Sequence, residues 1–171
     1  MNTNPSVWFT CLLIGGSILS CGGAARANPQ THTDVCVYGG TSGGIAAAVS
    51  AAKGGYDVML VEPTDRIGGL VTSGLSYSDF RSFESLSGFF LDFVQRVEAD
   101  YAQRYGANSP QVKASWRGTH GEPTVNLKIF EEMLREQRRI TFVKLQRLVS
   151  VEASPLVQGR RRISTATFRN Q

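Results

Sequence analysis

The sequence predicts an α/β fold with a parallel sheet, entered through a strand, a turn, a helix and a second strand. Three observations carry this. Asp34-Val-Cys-Val-Tyr38 is a short apolar run that feeds directly into the glycine-rich turn Gly39-Gly-Thr-Ser-Gly-Gly44. Ile45 to Lys53 is alanine-rich, with the small side chains a helix needs to pack close to a sheet, and Gly54-Gly55 gives it a stop signal. Asp57 to Val61 then reads as a second apolar strand, ending in Glu62-Pro63.

A helix that begins at such a turn leaves its first backbone N–H groups unpaired, with the positive end of its macrodipole behind them. A diphosphate satisfies both. Gly39 and Gly44 take the first and third places of the dinucleotide fingerprint G-x-G-x-x-G, and Thr41 stands in the second. The Thr41 side chain must therefore turn away from the phosphates or bond one of them. Gly40 and Gly43, with Ser42 between them and Gly44, complete the turn. Glu62 lies 18 residues beyond Gly44, near the place where the fingerprint has an acid that accepts from the two hydroxyls of an adenosine ribose. A 2'-phosphate would be repelled there, which disfavours NADP. The competing reading of Glu62 is an ordinary solvated glutamate at a strand end.

Asp65-Arg66-Ile67-Gly68-Gly69-Leu70 separates flavin from nicotinamide. In a nicotinamide dehydrogenase the chain passes here into the next helix. In flavoproteins that hold FAD extended, an arginine followed by paired glycines brings a second backbone loop onto the diphosphate. Arg66 would supply charge, and Gly68 and Gly69 would remove side chains so that N–H groups approach. Read alone, the motif is a surface turn; with Glu62 just before it, the flavin reading is favoured over a nicotinamide-dependent dehydrogenase.

The stretch from Asp34 to Asp79, including Val-Tyr-Gly-Gly-Thr-Ser-Gly-Gly-Ile-Ala-Ala-Ala and Asp-Arg-Ile-Gly-Gly-Leu-Val-Thr-Ser-Gly-Leu, resembles the FAD-dependent oxidoreductase family common among exported bacterial proteins. Threonine in the second glycine place is similar to that family's Gly-Gly-Thr form. The likeness implies a Rossmann-like FAD-binding domain with a parallel sheet and a β-hairpin or meander cover. It implies FAD as cofactor, bound non-covalently, and hydride transfer as the reaction type. It assigns diphosphate contacts to Gly39, Gly40, Thr41, Ser42, Gly43 and Gly44, the ribose to Glu62, and the far side to Arg66, Gly68 and Gly69. The backbone of Leu148 would bind adenine. The likeness names no catalytic residue, substrate or electron acceptor.

Along the chain, residues 1–27 read as a signal peptide, 28–33 as a linker and 34–171 as the amino-terminal portion of the FAD-binding domain, incomplete at its carboxyl end. Val7 to Leu19 is largely apolar and uncharged, too short for a relaxed bilayer span but of signal-core size. Ala25-Arg26-Ala27 offers a small-x-small cleavage site, so the product is expected to be secreted or periplasmic. The alternatives are lipidation at Cys21, in Ile18-Leu19-Ser20-Cys21, and an uncleaved start. Cys11 and Cys21 fall in the leader, which leaves Cys36 as a buried strand residue, and no Cys or His spacing suits a metal. The net charge of +4 is scattered rather than striped, which argues against a nucleic-acid partner.

Further on, Gly88 to Tyr101 and Thr124 to Arg139 repeat apolar residues at helical spacing, with Asn108 to Pro123 as a loop between them. Ile140 to Leu145 reads as a third parallel strand. Leu148 to Ala153 and Ile163 to Arg169 read as an antiparallel cover. Tyr77, Asp79 and His120 are loop residues without a catalytic constellation. Three functions stay open: the FAD-binding part of an oxidoreductase, a nicotinamide dehydrogenase domain, and a non-catalytic remnant or nucleotide-binding subunit.

Overall fold

The computed structural model describes residues 8–12, 30–75, 77–155, 158–159 and 161–171; Cys21 and Ala25 to Ala27 lie outside them. The elements in order are β1 (Trp8–Leu12), β2 (Gln30–His32), β3 (Val35–Tyr38), α1 (Ser42–Lys53), β4 (Val58–Val61), α2 (Gly88–Tyr105), α3 (Pro110–Ala114), α4 (Pro123–Arg135), β5 (Ile140–Val143), β6 (Gln146–Ala153) and β7 (Ile163–Asn170).

The strand β4 explains the architecture. Its four residues Val58, Met59, Leu60 and Val61 are all buried, as an unbroken apolar run in a parallel sheet requires when both faces are covered. Side chains alternate between the faces of a strand. Val58 and Leu60 join the core formed with α1, α2 and α4, while Met59 and Val61 pack with Ala166 and Phe168 of β7. Complete burial of each such side chain stabilises the fold by about 1.5–3 kcal/mol. On either side of β4 lie β3 and β5, both parallel to it, with Val37 opposite Leu60 and Leu60 opposite Phe142.

Helix α1 buries Ile45, Ala48, Val49 and Ala52, the i, i+3, i+4, i+7 set of one helical face. Its neighbours α2 and α4 meet through Phe93 and Phe130, whose rings stack 4.3 Å apart. Asp100 of α2 is buried but compensated, lying 2.5 Å from Lys128 Nζ and 2.6 Å from an Arg104 nitrogen. On the other face, β6 and β7 form the antiparallel pair expected from the sequence, with bulges near Leu148 and Glu152. The observed fold is therefore the predicted one, a three-stranded parallel sheet between helices and an antiparallel cover.

Four details differ from the sequence reading. Pro110–Ala114 is helical within the segment read as a loop, because Ser109 caps it by accepting from the Val112 amide and Pro110 pre-sets its first turn. Helix α4 ends at Arg135 rather than Arg139, since the Ile140 amide bonds the Gln137 carbonyl in a turn that aims the chain into β5. Cys36 is half-buried rather than buried. Residues 28–33, read as a linker, contain β2 and the buried Thr33, whose hydroxyl donates to the Asp57 carbonyl at 2.6 Å.

The leader reading also meets a structural alternative. Trp8–Leu12 pairs antiparallel with β7, from Trp8 opposite Arg169 to Leu12 opposite Thr165, and parallel with β2. Residues that would be removed with a signal peptide here cover the outer edge of β7. No helix among the described residues is long and apolar enough to cross a membrane.

Candidate dinucleotide site

The glycine-rich turn is shaped by what its neighbours leave no room for. A Cβ at Gly44 would stand 1.9 Å from the Gly39 carbonyl oxygen, so helix and strand meet backbone to backbone there. Gly39 itself has φ +103, a conformation other residues adopt at a cost. Helix α1 starts at Ser42, which places Gly43 and Gly44 in its first turn. Thr41 is the N-cap: its hydroxyl accepts from the Gly44 amide at 3.2 Å, while the Ile45 amide bonds the Thr41 carbonyl. The sequence left the Thr41 side chain either to turn away from the phosphates or to bond one; its hydroxyl is engaged as the helix cap. The amides of Ser42 and Gly43 remain outside the helical ladder, and no acidic residue occupies that first turn.

The second glycine loop is stitched to the first. The Gly68 amide donates to the Gly40 carbonyl at 2.6 Å, and the Ser42 hydroxyl donates to the Gly68 carbonyl at 3.0 Å. Gly68 has φ +94, and a Cβ there would meet Thr72 Cγ2 at 2.1 Å and Phe130 Cδ2 at 3.0 Å, so the turn of the second loop onto Thr72 depends on glycine. A cleft of about 580 Å³ opens between them, lined by Thr41, Ser42, Gly43, Gly68 and Gly69 and continuing past Leu70 to Tyr77 and Asp79. A Cβ at Gly43 would find only the Thr41 hydroxyl oxygen, at 3.9 Å. The side of the turn where phosphate would approach is thus open, and the side facing the sheet is full.

Glu62 is buried, not solvated. Its Oε2 accepts from the Gly40 amide at 2.6 Å, and its Oε1 accepts from the Thr64 amide at 2.8 Å and lies 2.6 Å from the Thr64 hydroxyl. The carboxylate has about four lone-pair sites and the two amides fill two of them; the single proton of the Thr64 hydroxyl serves either Glu62 or the Arg66 carbonyl, 2.8 Å away, and Glu62 does not itself line the cleft. Glu62 therefore also acts as a strut that fixes the first turn from behind. Thr64 was not singled out in the sequence, although its place two residues after Glu62 is the spacing of a local side-chain-to-backbone turn.

Two other sequence-assigned residues carry protein contacts. The Arg66 Nε donates to the Thr72 carbonyl at 2.7 Å, which anchors the guanidinium beside the second loop; Arg66 does not line the cleft. Leu148 lies on β6, and its amide donates to the Tyr38 hydroxyl at 3.2 Å. Beyond the cleft, Tyr77 and His120 are brought together from distant loops, their rings edge to face at 4.3 Å.

These features define a dinucleotide-binding α/β domain, and the residues present fit an adenine dinucleotide: a helix that starts at the turn with no acid in its first turn, an open phosphate side and an acid at the next strand tip. The profile of the family described as FAD dependent oxidoreductase matches residues 34–171, and the chain belongs to that family. FAD is the cofactor of that family, so FAD is the dinucleotide in question.

Solved structures resemble the chain loosely. THI4 of Thermovibrio ammonificans is 21% identical over 77% of this chain and 45% of its own, with a TM-score of 0.45. The HOCl-induced flavoprotein disulfide reductase RclA of Escherichia coli is 15% identical over 71% of this chain and 22% of its own, at 0.34. OTEMO, in a complex with FAD and NADP, is 15% identical over 78% and 23%, at 0.40. The chain spans less than half the length of each. No curated protein matches it.

Proposed function

We propose that this chain is the part of an exported flavin oxidoreductase that holds the ADP half of FAD. The observation that carries the reading is the cleft that the first turn of α1 at Ser42 and Gly43 lines together with Gly68 and Gly69, with Glu62 bonded to the Gly40 amide behind it. In this reading the first-turn amides of α1 bind the diphosphate, a remaining acceptor position of Glu62 takes a ribose hydroxyl, and the Leu148 backbone receives adenine. Arg66 acts by fixing the second loop through Thr72 and adds positive charge near the anion. When bound, FAD supplies a two-electron hydride acceptor. The rim formed by Leu70, Leu75 and Tyr77, all large and exposed, offers apolar cover to whatever extends beyond the diphosphate.

The test is reconstitution. Purified chain is incubated with FAD, freed of unbound flavin by gel filtration and denatured to release what it retained. About equimolar FAD is expected; folded protein that emerges colourless overturns the reading.

Export is part of the same proposal. The leader is removed after Ala27, so the product begins at Asn28 and retains β2 and the Thr33 anchor but loses β1. FAD then binds after translocation. Intact-mass measurement of the exported protein decides the processing: a start at Asn28 supports cleavage, a lipidated start at Cys21 replaces it with an anchor, and a retained Met1 to Ala27 segment contradicts both.

A further inference from the structure

The adenosine end of the site is partly occupied by the protein itself. Tyr38 closes β3 opposite Val61, one residue before Glu62 on the neighbouring strand. The start of β6 is pinned to the same strand tip, since the Leu145 amide bonds the Thr64 carbonyl at 3.2 Å and the Gln146 amide bonds the Glu62 carbonyl at 3.1 Å. Backbone N–H groups two residues apart on a strand point the same way. The Leu148 amide therefore faces the same edge as that of Gln146, beside the acid that would hold a ribose. This amide is already donating to the Tyr38 hydroxyl at 3.2 Å. The Tyr38 ring leans on Phe168 at 5.9 Å yet the residue remains 44% exposed, so its hydroxyl bond to Leu148 lies within reach of solvent and of a ligand.

From this arrangement we propose that Tyr38 sets the affinity of the site for adenine nucleotides: in the free chain its hydroxyl holds the Leu148 N–H, and an acceptor nitrogen of adenine must displace it. The proposal rests on the dinucleotide reading above. The hydroxyl is a built-in competitor, and its bond to Leu148 is lost whenever the base is seated. Ligands without a base do not disturb it.

Tyr38→Phe keeps the ring on Phe168 and removes the competitor. Calorimetric titration of the full chain is expected to show ADP binding tightened about 2- to 10-fold, the net worth of one such hydrogen bond, with inorganic pyrophosphate binding unchanged. Unchanged or weaker ADP binding in the variant overturns the proposal, as does an equal change for both ligands. If ADP fails to bind the folded wild-type chain, the dinucleotide reading falls and this inference falls with it.

Discussion

Gly44→Ala is expected to weaken FAD binding about a hundredfold and to destabilise the fold together. The added methyl would lie 1.9 Å from the Gly39 carbonyl oxygen and 3.5 Å from Val37 Cγ1. The nearest obstacle is backbone, so it cannot rotate away. Relief requires α1 to move off β3, which loosens the packing of Ile45 and Ala48 and costs about 1–3 kcal/mol. A shift near 1 Å at the turn also misaligns the Ser42 and Gly43 amides, enough for roughly a hundredfold loss where binding depends on fixed geometry. Gly43→Ala separates the two effects. Its methyl meets no backbone and lies on the cleft side. Alanine inside a helix is worth about 0.5–1 kcal/mol over glycine, so this variant is expected to unfold at the same or a higher temperature and still bind FAD more weakly. Thermal unfolding and FAD titration on the two variants check both halves.

Glu62→Gln has the second large effect, and it acts through donors rather than space. Both oxygens of Glu62 face N–H or O–H groups, from Gly40 on one side and Thr64 on the other. A glutamine must turn its own NH₂ toward one of them, leaving a buried donor against a donor. Stability is expected to fall by about 1–3 kcal/mol, the cost of an unmade buried hydrogen bond. FAD affinity is expected to fall by roughly 10- to 100-fold, as charge-assisted bonds to the carboxylate are worth about 1.5–3 kcal/mol. Unaltered FAD affinity in the folded variant would remove Glu62 from the site and leave it as a strut of the turn.

The parts of the fold that local pattern dictates were readable in the residues. The apolar run Val58 to Val61 had to be a strand buried on both faces, and Ile45, Ala48, Val49 and Ala52 had to share one helical face. Those patterns depend on the residue and its near neighbours alone. The short helix at Pro110 lies inside a stretch whose Gly, Pro and Ser content reads as a loop, although its Ser-Pro pair is also a helix-opening signal. The site divides along the same line. The spacing of Gly39, Gly44 and Glu62 located the turn and the acid. The inward carboxylate of Glu62 depends on the direction of the Gly40 amide, which is set by the packing of Ile67 and the bond from Gly68. The Tyr38 to Leu148 contact joins residues from β3 and β6, and no local pattern in either strand announces it. The strand formed by Trp8–Leu12 is a third case. Its apolar residues suit a signal core and an edge strand equally, and only the pairing with β7 brings the second role into view.

The most direct measurement is a calorimetric titration of FAD into the folded chain and into its Gly43→Ala variant, at two temperatures so that a vanishing enthalpy is not mistaken for no binding. Saturable binding at one FAD per wild-type chain is predicted, with weaker binding in a variant whose fold is intact. Absence of heat from the folded wild-type chain at both temperatures, or equal affinity in the two proteins, would contradict the assignment of the diphosphate to the first-turn amides of α1.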